Sequence, residues 1–179
     1  MKMFRTFFTV AAAGAVTLSA ADLSKVLEPK RWSPAECTVT AAEGGGMTVN
    51  MPVDHKAGQK DYPIGWPRLY LQKLRPEEKD WSKAKAVSFK FKLEFTGTTQ
   101  KFPVTFHVRT LAPGAKKAAG PSFLIPGIVN NKEVSVEIPL TKLKNPENVD
   151  YFGFSISESQ YKHGENFKFT VRDMKLIEK

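Results

Sequence analysis

The chain has 179 residues, a formal net charge of +9 at pH 7, 41% hydrophobic residues and a single cysteine. That length holds one domain with a sizeable core, and the lone Cys37 excludes an intramolecular disulfide framework, so packing must hold the chain together. The positive balance favours anionic partners, but Lys83, Lys85, Lys90, Lys92, Lys116 and Lys117 are spaced out, which suits a solvated strand face and argues against nucleic acid.

The first segment has the three parts of an export signal. Lys2 and Arg5 give a positive head, residues 7–18 are apolar, and Ser19, Ala20 and Ala21 are small. This pattern predicts a signal peptide over residues 1–21, cleaved before Asp22. The apolar run is about a dozen residues, short of the roughly 20 that cross a bilayer. The expectation is a secreted or periplasmic product without stable membrane insertion; a retained anchor or a buried helix is the alternative. Loss of Lys2 and Arg5 lowers the net charge by two. Residues 22–36 read as a lead-in and 37–179 as one β-domain.

Residues 37–40 make a weak first strand, with Cys37 a half-buried structural thiol. After the glycine turn at Gly44, Gly45 and Gly46, the alternation of Met47, Val49 and Met51 predicts the next. Leu69 and Leu71 mark a third, with Arg68, Tyr70 and Gln72 on its other face. The clearest strand covers residues 87–95: Val87, Phe89, Phe91, Leu93 and Phe95 share one face, and Ser88, Lys90, Lys92 and Glu94 the other. A period of two over nine residues means one buried and one wet face, the antiparallel pattern. A slip by one residue would expose all five apolar side chains, so register is strongly specified.

Val104, Phe106 and Val108 alternate with Thr105, His107 and Arg109. Residues 111–131, rich in proline and glycine, read as a long loop covering one end of the sheets. Val134, Val136 and Ile138 form another strand, stopped by Pro139, and residues 140–143 suit a single helical turn. Phe152, Phe154 and Ile156 follow, with Gly153 and Ser155 opposite. In the last strand Phe167, Phe169 and Val171 lead, but Met174 and Leu176 carry the later apolar positions. That phase slip predicts a β-bulge near Arg172 and Asp173. About eight strands with turn signals between them predict an all-β, two-sheet antiparallel sandwich or a barrel.

Enzyme motifs are missing. His55, His107 and His163 pair neither with each other nor with Cys37 at ligand spacing, and no His-Glu-x-x-His, Cys-x-x-Cys or Gly-x-Ser-x-Gly occurs. Two carboxylates from different strands remain open as a glycosidase pair. Binding chemistry is better represented. Arg68, Tyr70, His107 and Arg109 project from polar strand faces, and Tyr62 and Trp66 precede the first of them. If the two faces lie in one sheet, they combine hydrogen-bonding groups with flat rings, as a sugar requires. An ordinary polar outer face is the competing reading. Trp81, just before the core strand, suits a plug at the sandwich end, and Asp173 at the bulge is a candidate calcium ligand.

Several segments together resemble the galactose-binding-like jelly-roll domains, which include many bacterial carbohydrate-binding modules. They are Gly65, Trp66, Pro67, Arg68 and Leu69; Asp80, Trp81 and Ser82 leading into residues 87–93; Ile138, Pro139 and Leu140; and residues 169–176. The order and spacing correspond over about residues 45–179. The resemblance implies an eight-stranded glycan-binding sandwich, often attached to a polysaccharide-degrading enzyme. It also implies a structural calcium held by an acid from an early strand and one from the last. Asp173 stands at the second place, while residues 47–51 supply no acid for the first. No other cofactor is expected, and nothing specifies an oligomeric state. The resulting expectation is an exported, non-catalytic carbohydrate-binding module for a polysaccharide or glycan, anionic in keeping with the charge. A structural or protein-interaction domain of the cell envelope is the alternative, and a small glycoside hydrolase or lyase the third.

Overall fold

A computed structural model describes residues 21–54, 67–156 and 162–179. In chain order its strands are β1 (Ala21–Asp22), β2 (Ser33–Ala35), β3 (Thr38–Ala41), β4 (Met47–Pro52), β5 (Arg68–Leu71), β6 (Ala84–Thr96), β7 (Val104–Thr110), β8 (Ser122–Leu124), β9 (Glu133–Pro139), β10 (Val149–Ile156) and β11 (Asn166–Glu178). One sheet runs β3-β4-β11-β6-β9, with β1 also on β11; the other runs β2-β5-β10-β7-β8. Every pairing between these strands is antiparallel. The architecture is the expected all-β sandwich.

The inward positions are those the alternation assigned. Val87, Phe89, Phe91 and Leu93 of β6 are buried. Leu93 and Phe91 stand opposite Phe169 and Val171 of β11 within their own sheet, and Phe89 meets Phe106 and Phe154 across the sandwich. Phe91 stacks on Phe169 at 5.1 Å between ring centroids, and Phe89 meets Phe154 edge-on at 5.9 Å across the two layers. Each such ring contributes about 1.5–3 kcal/mol on burial, plus roughly 0.5–1.5 kcal/mol from ring geometry. The bulge also stands where the phase slip put it: Arg172 pairs with Lys90, but Lys175 pairs with Ser88. Asp173 occupies the extra position with φ 51°. The extra residue lets Val171 and Met174 both point inward.

Three features differ from the expectations. Among the described residues ten strands have three or more residues, with the two-residue β1 besides, rather than eight. The additions (β1, β2 and β8) are too short to display a period. Second, residues 22–36 are not a detached lead-in: Leu23, Val26, Leu27 and Trp32 belong to the core. Trp32 meets Phe152 edge-on at 5.7 Å and its indole N–H donates to the Val26 carbonyl at 2.7 Å. Third, residues 111–131 do not simply cover an end. Part of this segment forms β8 on the free edge of β7, and Asn130 then reaches the other sheet. Its side chain accepts from the Phe95 N–H at 2.7 Å and donates to the Phe95 carbonyl at 3.1 Å.

Trp81 is buried, meets the Phe152 ring at a tilt with centroids 5.5 Å apart, and donates its indole N–H to the Glu78 carbonyl at 2.9 Å. It follows a one-turn helix, α1 (Pro76–Lys79). Residues 140–143 make their single turn, with the Leu143 N–H donating to the Leu140 carbonyl at 2.9 Å. No helix among the described residues is long and apolar enough to cross a membrane.

Candidate functional site

The two polar strand faces do lie in one sheet, separated by a single strand. β10 pairs with β5 on one side and β7 on the other. Gly153 is opposite both Tyr70 and His107, Ser155 is opposite both Arg68 and Thr105, and Tyr151 is opposite Arg109. Because Cβ atoms alternate across a strand, Arg68, Tyr70, Tyr151, Ser155, Thr105, His107 and Arg109 emerge on the outer face together. Thus Arg68, Tyr70, His107 and Arg109 are brought together. Tyr62 and Trp66 lie outside the described residues, as do His55 and residues 1–20 of the expected export segment.

Gly153 shapes the middle of this face. A Cβ there would lie 2.2 Å from the Leu69 carbonyl oxygen and 2.5 Å from Cδ1 of Tyr70. Only glycine lets Tyr70 lean over the central strand. The tyrosine ring then meets Tyr151 edge-on at 5.4 Å and stands 6.3 Å from the His107 ring. The two phenols make a half-buried aromatic pair; burial, and then the neighbouring Tyr151, push the Tyr70 hydroxyl above its ordinary pKa. Tyr151 escaped the sequence reading because the β10 register shifts between Val149 and Tyr151, so it stands outside the clean alternation from Phe152 onward.

Beside the rings runs a hydrogen-bond chain. The Arg109 guanidinium donates to the carbonyls of Pro121 (2.6 Å) and Val108 (3.1 Å) and to Oγ of Ser122 (2.9 Å). Oγ of Ser122 is 2.8 Å from His107 Nδ1, and His107 Nε2 is 2.6 Å from Oγ of Ser155. A guanidinium can only donate. Arg109 Nη2 also lies 3.4 Å from His107 Nδ1, which makes Nδ1 an acceptor; the consistent direction is Arg109 donating to Ser122, Ser122 donating to His107 Nδ1, and the Nε2–H donating to Ser155 Oγ. This arrangement requires a neutral imidazole. Burial, followed by the nearby Arg109 charge, depresses the His107 pKa to about 4. Both ring nitrogens and most of the Arg109 fork are engaged within the protein, so these residues brace the face, while Tyr70 and Tyr151 form its aromatic pair.

No protein-family model matches the sequence, and no curated protein matches it. Solved structures match by fold. The carbohydrate-binding module CtCBM11 is similar at a TM-score of 0.56 and 15% identity, over 92% of this chain and 98% of that one. A structure from a study of promiscuous specificity in carbohydrate-binding modules of the β-sandwich superfamily is similar at a TM-score of 0.51 and 12% identity, over 89% of this chain and 64% of that one. The chain has the jelly-roll fold of these modules.

In this jelly roll the bulge does not fit the calcium that the resemblance implies. A hard cation takes six to eight oxygens, whereas Asp173 Oδ2 lies 2.7 Å from the Lys90 ammonium. Among the described residues no group of three or more His, Cys, Asp or Glu side chains is placed to hold a metal. Asp173 and Lys90 belong to an ion-pair lattice on the outer face of the first sheet, with Lys168 and Glu94 at 3.1 Å and Arg172 and Glu133 at 3.7 Å. The lysines of β6 are thus largely the solvated face that their spacing suggested.

Proposed function

We propose that the chain is an exported, non-catalytic glycan-binding domain whose contact surface is the outer face of β5, β10 and β7. The observation that carries this reading is the Tyr70–Tyr151 pair set over Gly153 and backed by the Arg109–Ser122–His107–Ser155 chain. Rings fixed in advance can cover the apolar face of a pyranose without ordering cost. The carbohydrate-binding modules that share the fold support the reading. Among the described residues, the outward positions of β5 and β7, and Tyr151, Gly153 and Ser155 of β10, include no Asp or Glu.

Titration of the purified protein against a polysaccharide panel tests the proposal. At least one glycan should bind, and Tyr70→Ala and Tyr151→Ala should each weaken it by about tenfold or more, as loss of an aromatic contact does. Unchanged affinity in both variants would remove this face from the site. Trp66→Ala in the same panel tests the preceding segment. The second reading, an envelope interaction domain, draws on Leu124 and Val129, which are 63% and 51% exposed near the edge strand β8. It predicts no glycan binding but retention on an envelope protein fraction, lost in Leu124→Ser.

A further inference from the structure

At the Arg109 end of the aromatic face lies a cavity of about 450 Å³ whose lining includes Lys117, Lys142, Lys144, Gly120 and Pro121. Two loops build it: residues 111–121 after β7 and residues 140–148 before β10. They are tied together beneath the lysines. Oγ1 of the buried Thr110 donates to the Lys144 carbonyl at 2.7 Å, the Leu111 N–H donates to the Asn148 carbonyl at 3.0 Å, and Asn148 Nδ2 donates back to the Leu111 carbonyl at 2.9 Å. A Cβ on Gly120 would lie 2.3 Å from the Val108 carbonyl oxygen, so glycine allows the wall to close on β7. The cavity is held open by backbone and buried side chains, not by the lysines.

Its charge is one-sided. No Asp or Glu is among the lining residues, and among the described residues neither Lys117, Lys142 nor Lys144 makes an ion pair. The lysines on the opposite face of the sandwich are treated differently, since Lys90, Lys92 and Lys168 each carry an acidic partner. Three exposed lysines line a concave space whose remaining wall is largely Ala112, Ala115, Ala119 and Pro121, and positive charge at a concave, low-dielectric wall attracts an anion more strongly than on a flat surface. The cavity also joins the proposed contact face, because Pro121 lines it and its carbonyl receives the Arg109 guanidinium at 2.6 Å.

We propose that this cavity is an anion subsite continuous with the Tyr70–Tyr151 face and that the ligand is an acidic polysaccharide. The inference rests on the glycan-binding reading above and adds the ligand class. One sugar sits on the rings while a carboxylate or sulfate ester, on that residue or the next, enters the cavity to meet the ammonium groups. Both anions offer the same chemistry to lysine, charge and acceptor oxygens without a required planar fork.

Affinity electrophoresis and calorimetry with a neutral β-glucan panel, uronate-rich polymers and sulfated galactans test the proposal. The expected result is that an acidic polymer binds at least about tenfold tighter than the neutral ones, and that Lys117→Gln/Lys142→Gln/Lys144→Gln removes the difference. The triple variant should leave neutral binding unchanged, and Tyr70→Ala should weaken both. A control that removes equal charge elsewhere, Lys25→Gln/Lys83→Gln/Lys132→Gln, should retain the acidic preference. Comparison of the uronate and sulfate arms identifies the anion. Equal loss in the two triple variants, or neutral polymers bound as tightly as acidic ones through Tyr70, would overturn the subsite while leaving glycan binding intact. Acidic binding indifferent to Tyr70→Ala and Tyr151→Ala would sever the subsite from the face, and no binding by any polymer would end both proposals.

Discussion

At the scale of single residues, His107 makes the candidate face sensitive to acid. Its pKa is about 4 in the fold against an ordinary 6.5. As pH falls from about 6.5 toward 4, the unfolded chain takes up a proton that the folded chain refuses. Neutral His107 therefore contributes stability that is fully present above 6.5 and is lost progressively through that window. Thermal unfolding from pH 7.5 to 4.5 should show a falling Tm in the native protein and a shallower fall in His107→Gln. Parallel profiles would mean that the imidazole is open to solvent. Gly153 gives a second, independent test. The backbone carbonyl of Leu69 cannot retreat from a new Cβ without breaking the β5–β10 pairing, so Gly153→Ala should cost about 1–3 kcal/mol. Displacement of Tyr70 should weaken glycan binding along with it. Denaturant titration and ligand titration on one preparation measure both.

At the scale of elements, one ion pair secures the N-terminal segment. Arg31 meets Glu78 in a two-pronged contact, Nη1 to Oε1 at 2.8 Å and Nη2 to Oε2 at 2.6 Å, and the Arg75 N–H donates to the same carboxylate at 2.8 Å. The two side chains retain only 11% and 9% of their exposure. Glu78→Ala leaves the part-buried guanidinium without its counter-charge, a loss of about 1–3 kcal/mol. Denaturant midpoints should fall, and limited proteolysis should open first within residues 22–36; a midpoint within error of the parent would show the pair to be decorative. Nothing in the spacing of Arg31 and Glu78 announces this contact, which explains why the segment read as a lead-in. The same reasoning sorts the rest of the chain. β6 was legible because nine residues keep a strict period of two, and the β11 bulge because it breaks one. β2 and β8, at three residues each, offer no period to read. On the candidate face, Tyr70 and His107 could be nominated from their own strands, but their meeting over Gly153 depends on β10 inserting between them. The lysine cavity was still less accessible, since it joins residues 117 and 142–144 through a Thr110 hydrogen bond that no local pattern encodes.

At the scale of the whole molecule, the sandwich has no covalent staple, and its integrity depends on the two layers staying closed. Cys37 sits where the chain leaves β2 in one sheet and enters β3 in the other. Its thiol donates to the Arg68 carbonyl at 3.2 Å, and burial pushes its pKa up to about 11. At neutral pH the thiolate, which is the reactive form, is about a hundredfold scarcer than for the ordinary value of 9.0. Thiol-reactive dye should therefore label the native protein slowly, with a rate that rises when the corner between the layers opens. If the sandwich opens as one unit, the denaturant dependence of labelling should match that of global unfolding followed by tryptophan fluorescence, as the buried Trp32 and Trp81 report on the same core. Labelling that proceeds at the free-cysteine rate in native buffer, or that precedes the fluorescence change, would show that β2 and β3 part from the sandwich on their own. In that case the N-terminal segment and the rest of the sandwich would be separate cooperative units, and the Arg31–Glu78 clamp would be one contact that joins them.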